Sequence, residues 1–114
     1  MYKNNRVHDI FSQDADFQKF QVLKTNRNKR HRYGEFFVEG VRNLNQAVEN
    51  GWQVASFLYA RDRQLSGWAK DMLARVPTQQ NFRLSGPLLD QLSSKEDSSE
   101  LMAVVKMRPA DLSL

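Results

Sequence analysis

Glu35-Phe-Phe-Val-Glu-Gly-Val-Arg-Asn-Leu-Asn-Gln-Ala-Val-Glu-Asn-Gly51 reads as a strand running directly into a helix. The first five residues are aromatic and β-branched between two carboxylates, and they are bounded by Gly34 and Gly40, so they predict a short buried strand. Val41, Leu44, Ala47 and Val48 then recur at helical spacing, and Asn50-Gly51 supplies a stop. Downstream the same alternation repeats. Val54 to Ala60 has strand composition, and Leu65, Trp68, Ala69, Met72, Leu73 and Val76 form a helical stripe that ends before Pro77. Asn81 to Leu84 is a weak strand. Ser85 can cap a short helix with Pro87 in its first turn and Leu88, Leu89 and Leu92 inward. Leu101-Met-Ala-Val-Val-Lys-Met107 is the best strand candidate in the chain. Strands alternating with helices imply an α/β domain, a three-layer α/β/α sandwich around a mainly parallel central sheet.

Upstream of this frame, Asp14 can cap a helix beginning at Ala15, with Phe17, Phe20 and Leu23 on about one face. The run Lys24-Thr-Asn-Arg-Asn-Lys-Arg-His-Arg32 follows. Its two asparagines weaken helix, so the expectation is a helix to about Arg27 and then a loop. At helical spacing Lys24, Arg27 and His31 would line one side, with Arg30 near it.

The 114 residues suffice for one domain, and 40% hydrophobic content supplies a modest core. No cysteine is present, which removes disulfide frameworks, thiolate metal sites and cysteine nucleophiles and fits a reducing cytoplasm. His8 and His31 are too few and too far apart for a metal cluster. No apolar run approaches the roughly 18 residues that span a bilayer, and Met1 to Asp9 is too polar for a signal peptide. A soluble, cytoplasmic protein without membrane contact is expected.

Net charge is +4, and its distribution is uneven. Up to Gly34 eight Lys/Arg face three acids, whereas the remaining eighty residues carry nine basic and ten acidic groups. A neutral domain with one cationic strip points to a polyanion, because such a strip displaces counterions condensed on phosphates. Five Lys/Arg and one His fall within nine residues, 24 to 32, and Asn26 and Asn28 add groups that suit phosphate, sugar or base edges. Absence of helix-turn-helix, zinc or dimeric basic patterns favours RNA over DNA. Tyr33, Phe36 and Phe37 could stack on unpaired bases, but a place in a strand favours core burial, and Trp68 and Met72 are read as core as well.

Enzymatic constellations are missing. The five glycines (34, 40, 51, 67 and 86) are too scattered for a phosphate loop or a dinucleotide fingerprint. Of the carboxylate pairs, Asp14/Asp16 suits a helix N-terminus and Glu96/Asp97 sits in the polar stretch Ser93 to Glu100, read as a solvated loop. Glu35/Glu39 is the third, and Glu39 has two readings. It is either a structural carboxylate at a helix N-terminus, paired to Arg42, or part of a turn that faces RNA with Arg42 near a phosphate.

Arg30-His-Arg-Tyr-Gly-Glu-Phe-Phe-Val-Glu-Gly-Val-Arg-Asn-Leu44 resembles the N-terminal substrate-binding domain of SpoU/TrmH-family RNA 2′-O-ribose methyltransferases, in which a basic stretch precedes a strand ending in Val-Glu-Gly and a helix. Leu84-Ser-Gly-Pro-Leu-Leu-Asp-Gln-Leu-Ser93 is similar to the family's helix before the last strand, and Leu101-Met-Ala-Val-Val105 to that strand. Together the blocks span about residues 22 to 107. One departure is Ser98-Ser-Glu-Leu101, where family members often carry a Pro-Gln-Gly type turn.

The resemblance implies an α/β/α domain like the kink-turn-binding ribosomal proteins, which presents RNA to a separate catalytic domain. It implies RNA contacts at Lys24, Arg27, Asn28, Lys29, Arg30, His31, Arg32 and Arg42, and no catalytic, cofactor or metal residue in this chain. Residues 1–22 would be an N-terminal helix or extension, 23–107 the RNA-binding domain, and 108–114 the start of a linker. S-adenosylmethionine would belong to a missing knotted catalytic domain, through which the whole protein would dimerise. The expected substrate is ribosomal RNA in preference to transfer RNA. A free-standing kink-turn-type RNA-binding module without an enzymatic partner domain is the alternative reading, and a protein-interaction domain with a solubilising arm a third.

Overall fold

In the computed structural model of the chain, residues 6–93 and 99–108 are described, apart from the side chain of Arg27. The elements are β1 (Val7–Ile10), α1 (Ala15–Thr25), α2 (Arg27–Tyr33), β2 (Glu35–Glu39), α3 (Val41–Glu49), β3 (Val54–Ala60), α4 (Gly67–Arg75), β4 (Asn81–Leu84), α5 (Gly86–Leu92) and β5 (Leu101–Lys106). One sheet has the order β1-β4-β3-β5-β2. The β1–β4 and β3–β4 pairings are parallel, whereas β5 pairs antiparallel with both β3 and β2. Four strands therefore share one direction and β5 opposes them, which makes the sheet mixed and mostly parallel.

Helices cover both faces, so β5 has no polar face and reads as a continuous apolar run. Met102 and Val104 join Ile10, Phe17, Phe20, Leu23, Leu89 and Leu92 under α1 and α5. Leu101, Ala103 and Val105 join Leu44, Phe57, Ala69 and Met72 under α3 and α4. The alternation along β5 divides its side chains between the two cores. Trp68 packs against the second cluster and donates its indole N–H to Asn45 Oδ1 at 2.9 Å.

The expected caps are present. Asp14 accepts from the Phe17 N–H at 3.0 Å, and Ser85 accepts from Leu88 with Pro87 in the first turn of α5. Two elements differ from expectation. β1 is a strand in the segment read only as polar: it is a sheet edge of four residues whose two apolar members, Val7 and Ile10, are too few to show a pattern. The expected loop after Arg27 is helix α2, for reasons given below.

The division expected at residue 22 runs through α1. Phe17, Phe20 and Leu23 all lie in the first core, and β1 pairs with β4, so the described part of this N-terminal stretch is built into the same unit. The expected linker residues 109–114 and residues 94–98 of the serine-rich loop lie outside the described residues.

Candidate nucleic-acid interface

Asn26 separates α1 from α2. Its backbone is extended (φ −120°, ψ 104°), its N–H still closes α1 on the Val22 carbonyl, and its side chain accepts from the Lys29 N–H at 3.1 Å as the cap of α2. The same asparagine that weakens a continuous helix thus starts a second one. Gly34 ends α2 in the left-handed region (φ 71°), donating its N–H to the Arg30 carbonyl. Only glycine adopts that conformation without a steric cost.

Arg30 fastens the two helices. Its Nε donates to the Leu23 carbonyl and its Nη2 to the Lys24 carbonyl, each at 2.5 Å. These carbonyls belong to the last turn of α1, where a cation also meets the negative end of the helix dipole. Beyond Gly34, buried Glu35 pairs with Lys19 at 2.9 Å and lies 4.0 Å from Lys106. Lys19 in turn sits 4.9 Å from the ring centre of Tyr33, the last residue of α2. The basic segment is therefore a short helix pinned to α1 near both ends.

Within the segment the cations divide into two groups. Arg30 is engaged by backbone, whereas Lys24, Lys29 and Arg32 make no ion pair among the described residues. Asn28, His31, Arg32 and Tyr33 are exposed. Tyr33, expected in a strand, ends α2 instead and is 48% exposed, while Phe36 and Phe37 are half-buried in the edge strand β2. For Arg27 only the backbone, as the first residue of α2, is described.

Arg42 is not part of this cluster. It lies in the first turn of α3, after the far end of β2, whereas α2 precedes the near end. Five strand residues separate the two ends by about 16 Å. The pairing considered between Arg42 and Glu39 is absent: Arg42 is exposed without an ion pair among the described residues, and Glu39 is buried and accepts from Ser93 Oγ at 3.2 Å. Gly40 offers no side chain to cap α3, so Arg42 stands beside first-turn N–H groups that lack a side-chain cap.

Other arginines at this end of the sheet hold loops. Arg61 donates to the Ile10 and Arg83 carbonyls, and Arg63 makes a two-pronged contact with Asp90 at 2.8 Å on each arm. At β1, Arg83 binds both Asp9 oxygens, and this hydrogen bonding holds the Asp9 carboxyl below its ordinary pKa. Their charge is spent inside the fold.

A groove of about 470 Å³ joins the separated ends. It runs between edge strand β2 and α3 and is lined by Phe36 to Glu39, Asn43, Gln46, Ala47, Asn50 and Trp52. Arg108 stacks 4.0 Å from the Trp52 ring centre and donates to the Asn50 carbonyl. Sequence reasoning singled out Phe36, Phe37 and Glu39 of this lining but passed over Asn43, Gln46, Asn50 and Trp52. The one available signal was the amide spacing at 43, 46 and 50, three and four residues apart on one helix face.

A family model described as the SpoU L30e-like domain matches residues 14–103. The chain belongs to this family. It is 48% identical over 103 residues to a 23S rRNA (uridine(2479)-2′-O)-methyltransferase from Streptomyces viridochromogenes, covering 90% of this chain and 35% of that protein. The crystal structure of the SpoU methyltransferase AviRb from the same organism, in complex with AdoMet, matches at 46% identity and a TM-score of 0.78 over 88% of this chain and 38% of that one. An rRNA methyltransferase from Sinorhizobium meliloti shares the fold at 16% identity and a TM-score of 0.66, over 90% of this chain and 37% of that one. The chain thus spans little more than a third of the relatives it matches, and it corresponds to their N-terminal part. The expected α/β architecture with a mostly parallel sheet is thus shared with the solved SpoU structures.

Proposed function

We propose that this SpoU L30e-like domain binds and positions RNA, most specifically ribosomal RNA, for 2′-O-ribose methylation by a catalytic domain outside this chain. The observation that carries the reading is the pinned basic helix. Lys24, Lys29 and Arg32 have no internal partner among the described residues, and they are held on a rigid corner by Arg30 and Asn26. Cations without internal partners on an ordered backbone suit phosphate recognition, since binding then orders side chains but not the helix that carries them. Asn28 and His31 share the exposed part of that helix, Arg27 opens it, and Arg42 adds a second phosphate contact beyond β2.

Methyl transfer itself would come from S-adenosylmethionine in the remaining part of the protein. Within this chain, Arg61 and Arg63 in the loop after β3 and Glu100 just before β5 are engaged with Ile10, Arg83, Asp90 and Ser66, so these charged groups do not fit a role in holding that donor. Positioning without a donor site gives no transition-state stabilisation, so this chain alone is inactive. The whole protein would act in the cytoplasm as a homodimer joined through its catalytic part.

A salt series tests the reading. The chain should prefer a structured ribosomal RNA fragment to an unstructured RNA of equal length. Replacing Lys24, Lys29 and Arg32 with alanine should flatten the log-log salt slope by about 0.7 to 0.9 for each phosphate that is no longer neutralised. An unchanged slope would overturn the role of the helix. Equal binding to both RNAs would reduce it to a generic cationic surface.

A further inference from the structure

The groove between β2 and α3 has two unlike walls. One is an edge strand, whose outer main-chain N–H and C=O groups have no neighbouring strand among the described residues. The other presents a row of amides. Asn43 uses its Nδ2 on the Glu39 carbonyl at 3.1 Å, leaving its Oδ1 available, while the Gln46 and Asn50 side chains have no hydrogen-bond partner among the described residues. Aromatic surface closes one end, where Phe36 meets Trp52 edge-on at 5.4 Å and the Arg108 guanidinium lies over the Trp52 ring. Arg42 stands at the other end.

We propose that this groove is a subsite for an unpaired nucleobase of single-stranded RNA. This rests on the RNA-binding reading above and specifies what it recognises. Amides supply paired donors and acceptors that match base edges, and an aromatic or guanidinium plane supplies the stacking face. The charge pattern agrees: cations stand at both ends, and Glu39, the carboxylate among the lining residues, is buried and engaged by Ser93. The groove also explains how two basic patches about 16 Å apart act on one ligand. Stacked RNA covers that length with roughly five nucleotides and a splayed strand with fewer, so phosphates at α2 and Arg42 bracket bases lying between. An accessible base in the groove distinguishes single-stranded from duplex RNA, whose bases are stacked and paired.

Trp52 reports occupancy directly. In the 114-residue chain carrying Trp68→Phe it is the one remaining tryptophan. Three probes are titrated: a single-stranded RNA of about ten nucleotides, an abasic ribose-phosphate strand of equal length, and a perfect RNA duplex. The base-bearing strand should change Trp52 emission and bind roughly five- to tenfold more tightly than the abasic strand. Gln46→Ala with Asn50→Ala should remove most of that difference and leave the salt slope unchanged, since every phosphate-binding cation is retained. These substitutions are also made without Trp68→Phe and read by RNA fluorescence anisotropy, so the result does not depend on how the single-tryptophan variant folds. Equal binding of base-bearing and abasic strands, or no effect of the amide substitutions while the salt slope persists, overturns the groove and leaves the RNA-binding reading standing. Failure to bind any probe at low salt overturns both.

Discussion

Arg30→Ala separates the cation that builds the interface from those that use it. The substitution removes two charge-assisted hydrogen bonds, both at 2.5 Å, from the last turn of α1. Bonds of this type contribute about 1.5 to 3 kcal/mol each when dry, and the half-buried site here reduces each to about 1 kcal/mol. The expected destabilisation is therefore about 2 kcal/mol in urea unfolding, or about 8 to 15 °C in Tm for a domain of this size. Amides of α2 should also lose hydrogen-exchange protection, because the helix has only seven residues and depends on its fastening. Arg30→Lys should recover less than half, since an ammonium cannot reproduce the two-pronged planar contact. Arg32→Ala, at an exposed position without an ion pair among the described residues, should change stability by less than about 0.5 kcal/mol while flattening the RNA salt slope. If Arg30→Ala unfolded like the parent protein and left α2 protection intact, the fastening would be refuted. Arg30 would then belong with the RNA-facing cations.

Three further outcomes follow from particular contacts. Gly34→Ala forces an alanine into the left-handed region at φ 71° and should cost about 1 kcal/mol by chemical denaturation, with α2 fraying first. Phe57→Ala empties a fully buried site between β3 and the α3/α4 layer and should cost about 3 to 5 kcal/mol, enough to abolish cooperative thermal unfolding at moderate temperature. Asp9 is held below its ordinary pKa by Arg83, so its contribution to stability is complete above the unfolded-state value and disappears as pH falls through the lower folded-state value. Asp9→Asn should remove that segment of the acid-side stability profile, measured by Tm against pH, and leave neutral-pH RNA binding unchanged.

Where sequence encodes structure through apolar spacing, the fold was legible. The residues of α3 follow a period of 3.6 because the helix buries one face, whereas β2, β3 and β5 are short apolar and β-branched runs because helices cover both faces of the sheet. α2 follows no such period. Its seven residues, Arg-Asn-Lys-Arg-His-Arg-Tyr, bury no apolar stripe, and the helix forms because Asn26 caps it, Gly34 ends it and Arg30 ties it to α1. Capping by Asn26 was visible only as a helix-weakening residue, since the side-chain acceptor acts forward on Lys29 and not on the helix behind it. β1 was illegible for the complementary reason, being an edge strand with solvent on one side and too few apolar residues to alternate.

The candidate interface was half legible, and the missing half is geometric. Charge density located the basic segment, but linear sequence cannot distinguish a guanidinium spent on carbonyls from one left for a ligand. It also placed Arg42 close to the cluster, ten residues from Arg32, although β2 carries the chain to the opposite end of the sheet. The helix α3 then returns antiparallel to β2, bringing Asn50 and Trp52 back beside Phe36. This return is what makes a groove from residues that look unrelated in sequence. An interface built only from the α2 cations would bind any polyanion, because phosphate contacts position a protein without reading bases. Discrimination between RNAs requires groups between the cations that respond to base edges, and the amides of α3 occupy that position.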